Sequence, residues 1–199
     1  MTIPDEASST RARLLDTTEQ LIYAGGICAT GMDLIVKTSG VARKTIYRYY
    51  PTKEALVAAA LQQRDERWMR WFIGATSDAD APAERLLSMF PALRRWFASD
   101  DFRGCAFINA AGEIGGAASP IRAVCRLHKQ GLLDYVRQLA LACRVDDPEE
   151  TARQLLVLID GAITVALVTG DASIADSAER MAGRLIQPRA VAENFPPRQ

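Results

Sequence analysis

The chain has 199 residues, 49% of them apolar, and its 24 basic side chains are balanced by 24 acidic ones. It is long enough to bury a core and too apolar for a disordered segment, while zero net charge excludes the simplest mark of a nucleic-acid partner, a global excess of Lys and Arg. Cys28, Cys105, Cys125 and Cys143 form no C-x-x-C pair, which excludes a zinc ribbon or disulfide framework, so no metal and no cofactor are expected.

The N-terminus, "MTIPDEASSTRARLL", shows no apolar stretch behind its charges, hence no signal peptide. Downstream, "STRARLLDTTEQLIYAGG" spaces Leu14, Leu15, Thr18, Leu21 and Ile22 as one helical face, with Ser9 or Thr10 as its cap and Gly25-Gly26 as its stop. "TGMDLIVKTSG" predicts a second helix, opened by a capping-box-like Thr30 and Asp33, burying Met32, Ile35, Val36 and Ser39, and closed by Gly40. After the turn Ser39-Gly40-Val41, a short helix from about Arg43 to Tyr49 turns Ile46 and Tyr50 inward and sets Lys44 and Arg48 nearly opposite. Pro51 breaks the chain there, and Thr52 caps a long helix that fades near Gly74.

Beyond a polar loop, every further segment fits a helical period better than a strand period. These are "PAERLLSMFPALRRWFASDD", a short helix from about Cys105 to Gly112, "ASPIRAVCRLHKQGLLDYVRQLALACR", "DPEETARQLLVLIDGAITVALVTG" and "SIADSAERMAGRLIQ", followed by a frayed tail "PRAVAENFPPRQ". The fold class is therefore all-α. The longest apolar run, Leu155 to Gly170, is short for a membrane span and contains Asp160, so the chain is expected to be cytoplasmic and to have no membrane partner.

Averaged charge hides a local field. From Lys37 to Lys53 the chain carries Lys37, Arg43, Lys44, Arg48 and Lys53 with no Asp or Glu among them. Two helices joined by a glycine turn, the second short and basic, describe a helix-turn-helix whose second helix fits a DNA major groove. Arg and Lys neutralise phosphates or read guanine edges, Thr touches a base, and Tyr hydroxyls donate to phosphate. Arg48 joins this set from geometry alone.

The same stretch, "TGMDLIVKTSGVARKTIYRYYPTKEAL", with "LIYAGGICAT" before it, resembles the N-terminal signature of the TetR family of bacterial transcriptional regulators. The resemblance implies an all-α fold with a three-helix DNA-binding head, residues 1–52, and a helical effector-binding and dimerisation body, residues 53–199. It implies a homodimer that binds a palindromic operator in double-stranded DNA as a repressor and is released by a small effector. Carried over by motif, Thr30 and Lys53 fall at phosphate-contacting positions, Tyr47 and Tyr49 at aromatic ones, and Arg43, Lys44 and Thr45 where base contacts cluster. Departures are Ala42 in place of a capping hydroxyl, Lys44 in place of a frequent Gly, and Leu34 in place of a common Asp. The first costs about 1 kcal/mol of helix start.

In the body, Leu155, Leu158, Ile159, Ala162 and Ile163 on one helix and Ala178, Met181 and Leu185 on the next form apolar stripes that pattern alone assigns either to the subunit core or to a dimer interface. The resemblance favours the dimer. For a largely apolar effector, the candidate wall is Trp68, Phe72, Met89, Leu93, Trp96, Phe107 and Cys125, with His128, Asn109 and Glu113 as polar groups. The arginines at 64, 67 and 70 are expected to lie on the neighbouring tryptophan rings.

No catalytic set emerges. Cys125-x-x-His128 pairs a thiol and an imidazole on one face but lacks a third group; "GEIGGAAS" lacks the ending of a phosphate loop; Glu149-Glu150 and Asp100-Asp101 are helix-start and loop charges. The chain is not read as an enzyme. The rival reading is a non-catalytic helical interaction protein whose basic head binds an acidic protein or lipid surface.

Overall fold

A computed structural model of the chain describes residues 6–186, with the side chains of Glu6 and Ala7 left out. The tail expected to fray lies outside the described residues, as do residues 1–5 of the N-terminal segment read for a signal. Among the described residues there are nine helices and no strand: α1 Glu6–Gly25, α2 Met32–Ser39, α3 Arg43–Tyr49, α4 Lys53–Ala75, α5 Pro82–Phe97, α6 Ala106–Glu113, α7 Pro120–Ala142, α8 Pro148–Thr169 and α9 Ile174–Leu185. Helix α1 begins at Glu6, so Ser9 and Thr10 lie inside it rather than capping it.

The chain packs as two units, one drawn from the chain up to Gly74 with Ser99–Leu132, the other from Ala75–Ala98 with the chain from Leu133 onward. The head, ending near Thr52, is part of the first. Its core is Leu14, Ile35, Val41, Ile46, Tyr50 and Leu56, with Met32 and Val36 half-buried against it. Gly40 closes α2 in the left-handed region, φ 67°, where a side chain would be strained, and its amide bonds the Val36 carbonyl. The Ser39 hydroxyl then accepts from the Val41 amide, which tightens the turn into α3. Thr52 caps α4 through the Ala55 amide at 3.0 Å.

The expected cap of α2 is corrected, while α3 lacks a side-chain cap as its Ala42 implies. Helix α2 is capped by Gly31 with no side-chain bond; the Thr30 hydroxyl donates instead to the Gly26 carbonyl at 2.7 Å, and Asp33 pairs with Arg43. Helix α3 starts at Ala42 with no side-chain cap, as an alanine there requires.

The first unit also holds a buried ion pair. Glu19 on α1 is 4% exposed and takes Arg64 and Arg67 of α4. Arg64 lies over the Tyr23 ring at 3.7 Å, so this arginine stacks on Tyr23 and not on the tryptophans.

In the second unit α5, α8 and α9 pack together. The Asp147 carboxylate caps α8 through the Glu150 amide, with Glu149 and Glu150 in the first turn as the helix dipole favours. Leu155, Ile159, Ala162, Ile163 and Ala166 of α8 and Ala175, Ala178 and Ala182 of α9 are buried within the subunit. Helix α8 is long and apolar enough to cross a membrane by length and composition, contrary to the expectation from its apolar run; one side of it packs within the subunit and the other carries exposed apolar residues.

Candidate nucleic-acid interface

The head core fixes which way α3 faces. Ile46, fully buried, and Tyr50, 6% exposed, anchor its inner side, and the Tyr50 hydroxyl accepts from Arg11 Nε at 2.8 Å, tying it to α1. The remaining side chains have nowhere to go but out. Arg43, Lys44, Tyr47 and Arg48 are exposed, and Thr45 and Tyr49 are half-buried. The Arg48 guanidinium lies 5.3 Å from the Tyr49 ring centre, which holds the charge near the helix instead of letting it wander. No acid lies on α3. The nearest is Asp33 at the start of α2, which pairs with Arg43 and competes with any anion for it.

Two expected contact residues are placed differently. Thr30 is 2% exposed with its hydroxyl committed to the Gly26 carbonyl, so it builds the loop into α2 and presents no side chain. Lys53 is half-buried, and its ammonium donates to the Ile27 carbonyl at 2.6 Å. It still lies at the head of α4 as a positive charge, now positioned by that loop.

The loop between α1 and α2 is held from a second direction. Glu113, the last residue of α6, accepts from the Ile27 amide at 3.0 Å and the Cys28 amide at 2.8 Å. Burial pushes its carboxyl up, but those two amides, the Cys28 side chain and the Lys53 charge outweigh burial and hold it below 4.5. At Gly26, φ 88°, a Cβ would meet a Glu113 carboxylate oxygen at 3.0 Å, so glycine serves both the turn and the approach of this clamp. At the other end of α6 the Tyr23 hydroxyl of α1 donates to the Gly104 carbonyl and accepts from the Arg103 amide, both at 2.9 Å. Helix α6 is thus fastened to the head at both ends.

The effector residues divide between the units. Trp68, Phe72, Phe107, Asn109, Glu113, Cys125 and His128 belong to the first; Met89, Leu93 and Trp96 belong to the second, where Met89 and Leu93 are buried. In the first unit the rings gather. Trp68 stacks on Phe72 at 4.8 Å, meets His128 edge-on at 5.2 Å, and Phe107 lies flat on His128 at 3.7 Å. His128, 2% exposed, holds Asp65 through Nδ1 at 2.7 Å. Asn109 and Glu113 have other duties than an effector wall: Asn109 donates to the Arg103 carbonyl at 2.8 Å, and Glu113 is the clamp just described. Both also line a cavity of about 20 Å³ with Tyr23, Arg64 and Ala106, room for one water.

Of the expected dimer residues, Leu155, Ile159, Ala162, Ile163 and Ala178 serve their own subunit's core, Leu158 and Leu185 are half-buried, and Met181 is 53% exposed. The outward apolar face is made by others, Val157, Val165, Leu167 and Val168, with Val157 at 71% and Val168 at 77% exposed. A groove of about 490 Å³ runs between Val157, Leu158, Met181 and Leu185, with Arg153 and Arg184 on its rim.

Residues 14–60 match the model described as bacterial regulatory proteins, tetR family. The HTH-type transcriptional regulator YjdC of Escherichia coli K12 is 24% identical over 180 residues, 89% of this chain and 93% of that protein. The uncharacterized HTH-type transcriptional regulator Rv1255c of Mycobacterium tuberculosis is 34% identical over 104 residues, 52% of each chain. Among solved structures, SCO4454, a TetR-family transcriptional regulator of Streptomyces coelicolor, shares 29% identity and a TM-score of 0.82 over 90% of this chain and 95% of that one.

Proposed function

We propose, from the premise that the chain belongs to the TetR family of bacterial DNA-binding transcriptional regulators, that it works as a cytoplasmic homodimeric repressor whose grip on a palindromic operator is relieved by a small effector. The observation that carries this is the outer side of α3, where Arg43, Lys44, Tyr47 and Arg48 are exposed over a core that pins Ile46 and Tyr50. A helix so anchored enters the major groove as a rigid body, with cations meeting phosphates or guanines and Thr45 at the base edges.

The dimer reading is supported by the outward apolar face of Val157, Val165, Val168 and Met181, a solvent-facing cluster that a second copy would cover. For the effector, the ring cluster of Trp68, Phe72, Phe107 and His128 and the double fastening of α6 give a route: a molecule that displaces Phe107 or Trp68 moves α6, and Glu113 carries the movement to the loop holding Lys53. The chain itself catalyses nothing in this reading.

Selection of duplexes from a random library tests it. The expected outcome is an enriched two-fold site with half-sites about one or two helical turns apart. Thr45→Ala should flatten the base preference at one position in each half, whereas Lys53→Ala should weaken selected and random duplexes alike. A library that shows no enrichment contradicts the reading.

A further inference from the structure

Between Glu19 and Glu54 the chain carries a single acidic residue, Asp33. Of the exposed cations on α3, Arg43 alone meets a carboxylate among the described residues: its Nη2 donates to Asp33 Oδ1. Arg48 lies over the Tyr49 ring instead.

This pair does little for the fold. The Asp33 side chain is 95% exposed and that of Arg43 47%, a setting in which water and salt screen most of the attraction. The head is already closed by Leu14, Ile35, Val41 and Ile46 and by the left-handed Gly40. To an approaching duplex the pair matters more, because it sets a negative charge among the cations that meet phosphate. An acid at that place lowers affinity for every duplex, so its use lies in choosing between them.

We propose that Asp33 is a specificity-determining residue of the DNA interface, a positioning group that holds the Arg43 guanidinium ready for one guanine in the major groove. The inference rests on the DNA-binding function proposed above.

The donor set of arginine makes this possible. A guanidinium carries five N–H donors in one plane, and a guanine offers O6 and N7 to such a fork. Asp33 occupies one Nη2 hydrogen and leaves the rest of the fork for both acceptors. An untied arginine samples many rotamers and accepts any anion; one tied to a carboxylate has given up much of that freedom before the duplex arrives, so less is lost on binding. The charge of Arg43 still reaches the duplex, and what Asp33 restricts is its direction. Because Asp33 stands in the first turn of α2 and Arg43 opens α3, both helices of the motif share the reading of one base. The competing account is that Asp33 serves α2 alone, since the helix dipole favours an acid in a first turn whatever that acid touches.

The test uses the full chain, the duplex it selects from the random library, that duplex with each base pair replaced in turn, and a random-sequence duplex. Asp33→Ala should bind the random duplex about threefold tighter, since a charge of the phosphates' own sign is gone. It should lose roughly tenfold in discrimination at one guanine in each half-site and none elsewhere. Arg43→Lys, which keeps the charge and loses the fork, should lose the preference for the same guanine. In an Arg43→Ala background, Asp33→Ala should change no base preference, because the two residues act through one contact. Asp33→Ala that weakens selected and random duplexes alike would show that the acid only supports α2, and overturns the proposal. So does a guanine preference that Arg43→Lys loses and Asp33→Ala keeps. If the unaltered chain enriches no site, the proposed function fails and this inference with it; an enriched site whose base preferences ignore Asp33 refutes this inference alone.

Discussion

Glu113 shows how little of a residue's role is carried by its type. Its carboxylate holds two backbone amides of a loop that precedes it by more than eighty positions in the chain, and backbone amides leave no trace in a sequence. Because its carboxyl is held below 4.5, the clamp is fully present above that pH and is lost as pH falls through the lowered value. The amide resonances of Ile27 and Cys28 should therefore titrate together below pH 4.5, and Glu113→Gln should abolish that titration. A shared midpoint at or above 4.5 would show that the amides do not hold the carboxylate. Thr30 gives the same lesson in reverse: its hydroxyl suits phosphate by type, and a carbonyl four residues back claims it.

At the level of elements, α1 and α4 are joined by a charged bolt. Glu19 is buried between Arg64, whose side chain is 12% exposed, and Arg67, which is half in solvent. Glu19→Gln removes the anion and leaves Arg64 uncompensated, which should cost about 3 kcal/mol of unfolding free energy, read as a fall in urea midpoint. An unchanged midpoint would mean that the pair contributes nothing net. Element boundaries in the head were largely legible: α3 spans Arg43–Tyr49 as its periodicity predicts, since Ile46 and Tyr50 bury one face and Gly40 supplies a left-handed stop. The partners of Glu19 and His128 were not, because long-range pairing of charged groups follows from helix packing and not from spacing.

For the whole molecule, the apolar stripes of α8 and α9 left core and interface open, and burial divides them: Leu155 and Ile159 pack inward, Val157 and Met181 face out. Val157→Asp with Met181→Asp should leave the fold intact, because both side chains are mostly exposed, and shift sedimentation from dimer to monomer. The same double variant should lose roughly a hundredfold in operator affinity, since one head holds half the contacts. A double variant that stays dimeric places the interface elsewhere. The zero net charge of the chain also ceases to count against DNA, because the acids that balance it are absent from α3.

The central claim is that α3 lies in duplex DNA, one head from each of two copies. Its most direct measurement is the dissociation constant for a selected duplex across a range of NaCl concentrations. With Arg43, Lys44 and Arg48 exposed and Lys53 at the start of α4 on each head, the logarithmic slope should be about −7, and Arg43→Ala, Lys44→Ala and Arg48→Ala combined should flatten it to about −2. A slope near zero in the unaltered chain, or one that the triple variant does not change, would contradict the account.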